Sequence, residues 1–319
     1  MEEFILNKLT LQNRFVRSAT QTGLCDENGI PTPQYYEWYR KLAAGKPGLL
    51  ISEHMYISDE GKATNVQCAI HNDDTIQHHL KCNQIIKDVD PKSVICCQIN
   101  HAGQNGISKN KIVINDAKEE DFKKIIQDFQ NAAVRAELAK YDCIQIHCCH
   151  QYLLSQSISP LFNNRQDQWS CERFKLLEDV LEAVKKVVTI PIGVKMQVDD
   201  FTEGGLEPLM TLKILQKLNF DFVELSGGGR GAAKFLWYRK NQDVYYYKEF
   251  VQLLKQHSLL NNIIATGGFE NINQAHEAFK DGVQLVGFSR KFIRNPTFLL
   301  NDDKKCIRCN WCLENRVKN

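Results

Sequence analysis

The amino-acid sequence predicts an α/β protein, a (β/α)8 TIM barrel followed by a short cysteine-containing C-terminal tail. Short apolar and β-branched runs alternate along the chain with longer segments of helical spacing, the pattern of parallel strands joined by crossover helices. Eight such runs fit within about 300 residues, which is the size of one barrel of this type. No Gly-x-Gly-x-x-Gly turn follows the first run, as it often would in an open dinucleotide-binding sheet.

The eight predicted strands are residues 14–19, 48–52, 93–99, 143–148, 192–197, 222–226, 263–266 and 284–288. Between them, apolar residues recur every three or four positions, which predicts helices. The clearest are residues 73–87, 119–140, 172–187, 207–218, 246–257 and 273–280. We therefore assign residues 1–305 to the barrel and residues 306–319 to the tail.

Composition limits the partners of this chain. Its 319 residues are 43% hydrophobic and 24% charged, and 40 Lys and Arg balance 38 Asp and Glu. Because the charges nearly balance, the chain has no strong positive potential that would attract nucleic acid or an anionic membrane. We therefore expect small-molecule partners, with a homo-oligomer left open. The polar N-terminus resembles neither a signal peptide nor a membrane span. The cysteine pairs 96–97 and 148–149 lie in apolar runs and behave as small hydrophobes, so a cytoplasmic location is expected.

The loops after strands seven and eight predict a phosphate site, because active sites of such barrels gather at the carboxyl ends of the strands. Gly267 and Gly268 let backbone N–H groups approach an anion closely. Ser289 and Arg290 follow the neighbouring strand, and an arginine can bind phosphate with two hydrogen bonds. The structural alternative is a tight turn beside a surface arginine.

Lys195 lies within an apolar strand run, where a buried cation needs an anionic partner. One candidate is an ion pair with Glu53 or Glu224. The other is an electron-rich ring that gains negative charge on reduction, as a flavin does. Gln98 ends the third strand and offers both a donor and an acceptor to the imide edge of such a ring.

His147, His150 and Tyr152 follow the fourth strand. Two neutral imidazoles there can donate hydrogen bonds to one carbonyl, carboxylate or nitro oxygen and stabilise the charge that develops on it. Tyr152, with an ordinary pKa of about 10, can deliver a proton at neutral pH. The alternatives are structural histidines or a metal site completed by other strand-end ligands. Those ligands would be His101, His54 and Glu53.

Several segments in combination resemble one known family. They are residues 13–19, 48–53, 98–103, 146–153, 159–167, 287–290 and 295–296. The most specific is His147-x-x-His150-x-Tyr152, followed by Ser-Pro-Leu and Asn-x-Arg-x-Asp. The chain resembles the old yellow enzyme family of NAD(P)H:flavin oxidoreductases, in particular short relatives of 2,4-dienoyl-CoA reductase that consist of the barrel alone.

The resemblance implies an FMN cofactor and NADH or NADPH as electron donor. The residues that it places at the cofactor are Ser18, Ala19, Thr20, Gln21, His54, Gln98, Lys195, Gly227, Gly267, Gly268, Ser289 and Arg290. It implies hydride transfer through flavin N5 to an activated C=C, such as an enone, an enoyl thioester or a nitroalkene. His147 and His150, with His101 nearby, would bind this electron acceptor, and Tyr152 would protonate it.

The chain departs from the family pattern at several positions. Gln151 replaces a glycine, the 167–173 loop is shorter, and Gln21 stands where a Cys or Thr is common. Cys306, Cys309 and Cys312 resemble the start of an iron–sulfur motif without its fourth cysteine, so we expect no metal there. Two other functions stay open: a metal-dependent barrel hydrolase or lyase that uses His101, His147 and His150, and an FMN-binding barrel without turnover.

Overall fold

Eight parallel strands close into a barrel in the computed structural model, which describes residues 2–229, 245–302 and 309. The barrel strands are β3 (Phe15–Arg17), β4 (Leu49–Tyr56), β5 (Val94–Asn100), β6 (Cys143–Cys148), β7 (Ile192–Gln197), β8 (Phe222–Ser226), β9 (Ile263–Thr266) and β10 (Leu285–Phe288). They pair in chain order, and β10 closes the ring against β3. The (β/α)8 prediction is confirmed, and each predicted strand corresponds to one strand of the barrel.

Nine α-helices lie within the described residues. They are α1 (Pro33–Ala44), α2 (Thr75–Val89), α3 (Glu119–Leu138), α4 (Leu153–Ile158), α5 (Lys175–Lys185), α6 (Pro208–Lys217), α7 (Lys248–Gln256), α8 (Ile272–Lys280) and α9 (Arg290–Arg294). Six of them match the predicted helices within a few residues. The sequence prediction missed α1, α4 and α9. Two of these, α4 and α9, are short and lie in the loops that follow β6 and β10.

An antiparallel hairpin closes the N-terminal end of the barrel. It consists of β1 (Phe4–Leu6) and β2 (Leu9–Leu11). Leu6 and Leu11 are fully buried in an apolar cluster with residues near the start of several strands, such as Val94 and Phe222. The hairpin therefore seals this end against water and leaves the opposite, C-terminal end for a site.

The barrel interior changes from apolar to polar towards that C-terminal end. Side chains alternate along a strand, so Val94 and Cys96 of the interior cluster predict that Gln98 also points inward. The same alternation on β6 leads from Cys143 to Gln145 and His147. Gln98, Gln145 and His147 are all buried, at most 2% exposed. Buried polar groups require partners, so this layer needs hydrogen bonds either within the protein or from a ligand.

A β-bulge interrupts β4 and redirects its side chains. Ile51 pairs with Cys96 of β5, but His54 pairs with Gln98, so three steps on β4 correspond to two on β5. The predicted strand ended at residue 52, whereas β4 continues through the bulge to Tyr56. Such a bulge re-aims the residues that follow it. Glu53 lies against Thr22 and Cys25, and His54 lies beside His147 at the C-terminal end of the barrel.

Within the described residues, no helix is long and apolar enough to cross a membrane. The ten cysteines described are free thiols, and eight of them are buried, which agrees with the expectation of small buried hydrophobes. Of the tail cysteines, Cys309 is an exposed free thiol, while Cys306 and Cys312 lie outside the described residues. The division into residues 1–305 and 306–319 therefore remains a prediction.

Candidate active site

A buried ion pair organises the polar layer of the barrel. Lys195 Nζ lies 3.0 Å from Glu224 Oε1, and the two side chains are 4% and 0% exposed. Lys195 also donates to Ser18 Oγ at 2.8 Å, and Ser18 Oγ donates to Glu224 Oε1 at 2.5 Å. Of the partners that the sequence offered to Lys195, the structure selects Glu224 rather than Glu53. Lys195 also pairs with His147 of β6, so the ion pair is compatible with the predicted contact between Lys195 and a flavin.

The network extends through two glutamines. Gln145 Nε2 donates to Glu224 Oε2 at 2.9 Å, and Gln98 Nε2 donates to Gln145 Oε1 at 2.5 Å. Burial raises the pKa of Glu224, but Lys195 and the hydrogen bonds from Ser18 and Gln145 outweigh that effect and hold the pKa below its ordinary value of 4.5. Glu224 is therefore a carboxylate at neutral pH, and the amide orientations of Gln145 and Gln98 follow from it.

His147 is the centre of an aromatic cluster at the C-terminal end of β6. Its ring centroid lies 5.7 Å from that of His54, 5.4 Å from that of His150 and 5.5 Å from that of Tyr152. His147 is 2% exposed, and neither of its ring nitrogens has a hydrogen-bond partner among the described residues. Burial, reinforced by His150, His54 and Lys195, holds its pKa well below 6.5. His147 is thus a neutral imidazole whose polar atoms are available to a ligand.

The turn after β6 fixes His150 and Tyr152. His150 and Gln151 both adopt the left-handed conformation, with φ of 59° and 61°. Gln197 Oε1 accepts the backbone N–H of His150 at 2.8 Å, and the carbonyl of Gln151 accepts from Asn105 Nδ2 at 2.7 Å. The His150 ring bonds through Nε2 to Ser226 Oγ at 3.0 Å. Gln151 therefore has the backbone geometry that favours glycine, and Tyr152 precedes α4 directly.

The residues predicted to bind phosphate lie in three neighbouring loops. Gly267 and Gly268 have φ of 144° and 88°, which favours glycine at both positions. Thr20 Oγ1 and Ser289 Oγ lie 2.7 Å apart, which joins the loop after β3 to the start of α9. Because these two glycines have no Cβ, an anion can approach their backbone N–H groups closely, and the loop can serve as a cradle for it.

Tyr246 covers one side of this cradle. Arg290 Nη2 donates to the Tyr246 hydroxyl at 3.1 Å. A Cβ built on Gly268 would lie 2.7 Å from Cε1 of the same ring, so a side chain at this position would collide with it. Arg290 is thus held at the edge of the cradle by its contact with Tyr246, unlike the surface arginine of the structural alternative.

The other predicted site residues have the following local contacts. Gln21 Nε2 donates to Thr64 Oγ1 at 2.6 Å, and Ala19 is partly buried against the interior cluster. A Cβ on Gly227 would meet the Tyr247 hydroxyl at 3.0 Å. His101 Nδ1 accepts the Gly103 N–H at 3.0 Å, and burial lowers the His101 pKa to about 4. His101 is a neighbour of α4, because its carbonyl accepts from Leu153 N at 3.0 Å.

The hypothetical metal site is not formed. In the described part of the chain, three potential ligand atoms come together only at Cys25, Glu53 and Cys68. His101, His147 and His150 do not form such a group. The Glu53 carboxylate already accepts two hydrogen bonds from Thr22, and burial raises the pKa of the Cys25 thiol far above its usual value. The structure gives no support to a metal-dependent hydrolase or lyase.

Comparison with known proteins identifies the family. Residues 3–112 and 106–305 match the model of the NADH:flavin oxidoreductase / NADH oxidase family. The chain belongs to this family. It is an old yellow enzyme-like NAD(P)H:flavin oxidoreductase, and FMN is the cofactor of the family.

Similar proteins agree with the assignment. An NADPH dehydrogenase of Bacillus cytotoxicus is 29% identical over 325 residues, covering 92% of this chain and 89% of that protein. An NADPH dehydrogenase of Listeria monocytogenes is 28% identical, covering 93% and 91%. A solved structure of a 2-naphthoyl-CoA reductase with 2-naphthoyl-CoA has the same fold, with a TM-score of 0.89 at 18% identity. That likeness covers 97% of this chain but 54% of the reductase.

The described residues fit FMN. Lys195 and Gln98 offer a cation and an amide in the buried layer, and the cradle at Gly267–Gly268 suits a phosphate. His147 keeps both ring nitrogens without a partner among the described residues beside this layer. The sequence prediction missed the contributions of Gln145, Gln197 and Tyr246. Strand alternation on β6 could have found Gln145, because it lies two residues before His147.

Proposed function

We propose that this protein transfers hydride from NADPH or NADH to the activated C=C of a small acceptor, such as an enone, an enoyl thioester or a nitroalkene. The observation that carries the proposal is His147, a buried neutral imidazole whose two nitrogens have no partner among the described residues. Leaving the N–H of this ring buried and unpaired is unfavourable, so it favours a ligand that supplies an acceptor oxygen. NADPH is our first choice of donor because the relatives above are named NADPH dehydrogenases.

His147 and His150 bind the acceptor oxygen in this proposal. Each imidazole donates one N–H to that oxygen, and His150 would exchange its contact with Ser226 Oγ for the ligand. Attack at the β-carbon of an enone moves negative charge onto its oxygen. Donors that are already oriented and shielded from water stabilise this charge strongly in the transition state. Since burial holds the pKa of His147 well below 6.5, this imidazole keeps the same hydrogen-bonding role across neutral pH.

Tyr152 protonates the α-carbon. Its ring lies 5.5 Å from that of His147, and its backbone is held by the turn that Gln197 and Asn105 stabilise. A phenol is protonated at neutral pH and can therefore act as the acid. The proton given to the α-carbon is replaced from water. The product therefore gains one hydrogen at the β-carbon, delivered as hydride, and one at the α-carbon, delivered as a proton.

The remaining predicted residues hold FMN, which when bound supplies the hydride transfer between nicotinamide and acceptor. Lys195 and Gln98 would contact its ring. Ser18, Ala19, Thr20 and Gln21 would contribute the loop after β3, with His54 and Gly227 at neighbouring strand ends. Gly267 and Gly268, with Ser289 and Arg290, would hold its phosphate. Lys195, whose position is fixed by Glu224, would stabilise negative charge on the ring.

Isotope labelling tests the proposal. Purified FMN-loaded protein is incubated anaerobically with cyclohex-2-enone and NADPH deuterated at C4, and the product is analysed by NMR and mass spectrometry. We expect donor deuterium at the β-carbon and, in D2O with unlabelled NADPH, solvent deuterium at the α-carbon. NADH, an α,β-unsaturated thioester and a nitroalkene extend the panel. If FMN-loaded protein reduces none of these acceptors, the chain is an FMN-binding barrel without turnover.

A further inference from the structure

We propose that His54 is a specificity-determining residue at the acceptor site, held in one tautomer by the positioning residue Gln67. The proposal rests on the proposed function and deepens it: the site would favour compact acceptors over those with a bulky substituent. It depends on three observations, which are the bulge in β4, the hydrogen bonds of Gln67 and the packing of His54 against His147 and Tyr152.

The bulge places the His54 imidazole at the C-terminal end of the barrel. Leu49 and Ile51 point into the barrel interior, so unbroken alternation would send Glu53 inward and His54 outward. The register shift between Ile51 and His54 reverses this order. Glu53 instead bonds to Thr22, and the His54 ring stacks on that of His147 at 5.7 Å and 17°. The same ring lies 5.3 Å from that of Tyr152.

Gln67 determines which nitrogen of His54 carries the proton. The Ala63 backbone N–H donates to Gln67 Oε1 at 2.6 Å, and this fixes the orientation of the amide because a backbone N–H can only donate. The amide NH2 therefore faces His54 and donates to its Nδ1 at 2.8 Å and to its carbonyl at 3.1 Å. Nδ1 must accept, so neutral His54 carries its proton on Nε2. Gln67 is fully buried, which protects this contact from water.

This arrangement gives the acceptor site a rigid wall. His54 is 8% exposed and packs on the two side chains proposed to bind and protonate the acceptor. Its backbone in β4 pairs with Gln98 of β5 and its ring is anchored by Gln67, so the imidazole does not move aside easily for a larger ligand. A substituent that extends from His147 and Tyr152 towards β4 would collide with it. In a hydrophobic pocket, even one methylene group more or less on a substrate changes kcat/KM by about 10-fold to 200-fold.

The first test compares two acceptors. We expect His54→Ala to raise kcat/KM for (E)-4-phenylbut-3-en-2-one relative to cyclohex-2-enone by about tenfold, with both rates normalised to bound FMN. A ratio that stays within about twofold of wild type would overturn the specificity role. Failure of wild-type protein to reduce either enone would instead overturn the proposed function, so the two failures are distinguishable.

The second test uses a readout other than activity. In protein with 15N-labelled histidine, the His54 signals are assigned by their loss in His54→Ala. We expect an unprotonated Nδ1 and a protonated Nε2, and we expect Gln67→Glu to move the proton to Nδ1 because a carboxylate can only accept. The exposed substitution Gln252→Glu on α7 adds the same charge as a control and should leave the spectrum unchanged. A protonated Nδ1 in the wild type would refute the role of Gln67, whether or not Gln67→Glu folds.

Discussion

The buried pair of Lys195 and Glu224 allows a quantitative test of the polar layer. The perturbation is Glu224→Gln, which keeps the shape of the side chain and removes its charge. The carboxylate is 0% exposed and lies 3.0 Å from Lys195 Nζ, so the substitution leaves an ammonium group buried without a counter-charge. Removing one partner of a buried pair costs about 3–5 kcal/mol.

The hydrogen bonds of Glu224 add to this loss. A glutamine can still accept from Ser18 Oγ through one oxygen, but its NH2 then faces the NH2 of Gln145, which now donates to Glu224 at 2.9 Å. One conflict between two buried donors costs about 1 kcal/mol or more. We therefore expect Glu224→Gln to lower the free energy of unfolding by about 4–6 kcal/mol.

A double-mutant cycle separates the pair from its surroundings. Lys195→Met alone leaves Glu224 charged and should cost about 3 kcal/mol, whereas Lys195→Met/Glu224→Gln leaves no uncompensated charge. We expect the double variant to be at least about 2 kcal/mol more stable than the sum of the two single changes predicts. The assay is urea unfolding of all four FMN-free proteins, so that cofactor affinity does not contribute. Additive losses would refute the ion pair as the organising contact of the layer.

Three further substitutions test other parts of the account. Gln151→Gly should leave the unfolding free energy unchanged or raise it by up to about 1 kcal/mol, because φ of 61° strains a non-glycine residue; a larger loss by chemical denaturation would contradict this. Gly287→Ala should lower the melting temperature and cost about 2 kcal/mol, since its Cβ would lie 1.9 Å from Thr266 Oγ1, and wild-type stability would disprove the close approach. Burial lowers the pKa of His79 from 6.5 to about 4, so the unfolded chain binds more protons between these values and stability falls as the pH drops below 6.5. The loss of unfolding free energy between pH 8 and pH 5 should be smaller by about 2 kcal/mol in His79→Gln, and an equal loss in both proteins would show that His79 is not the group responsible.

The sequence predicted the barrel because its signal is local. Eight apolar runs mark the eight strands, and all of them are formed. The second run was ended too early because Glu53 and His54 resemble the polar end of a strand, while the bulge that lets β4 continue depends on pairing with β5. Helix α1 was missed because the buried residues of its first turns are the tyrosines Tyr35, Tyr36 and Tyr39, and aliphatic residues, Leu42 and Ala43, are buried only near its end.

For the candidate site, the sequence could propose residues but not the contacts among them. The sequence gathered His147, His150 and Tyr152, and it offered Glu224 as one partner of Lys195. Hydrogen bonds such as Gln98 to Gln145 join residues 47 positions apart, and their geometry depends on strand register. Gln151 replaces the glycine of the family pattern and nevertheless adopts the left-handed backbone conformation that favours glycine.

The two half-reactions of a Tyr152→Phe variant test the central claim most directly. In anaerobic stopped-flow, NADPH should bleach the flavin absorbance of the variant within about twofold of the wild-type rate, while its return on mixing with cyclohex-2-enone should be slower by about 100-fold or more. Tyr36→Phe, on α1 with its hydroxyl 3.4 Å from His78 Nδ1, is the matched control and should behave as wild type in both steps. An equal loss in both half-reactions, or no loss in either, would contradict Tyr152 as the proton donor of an ene-reductase site.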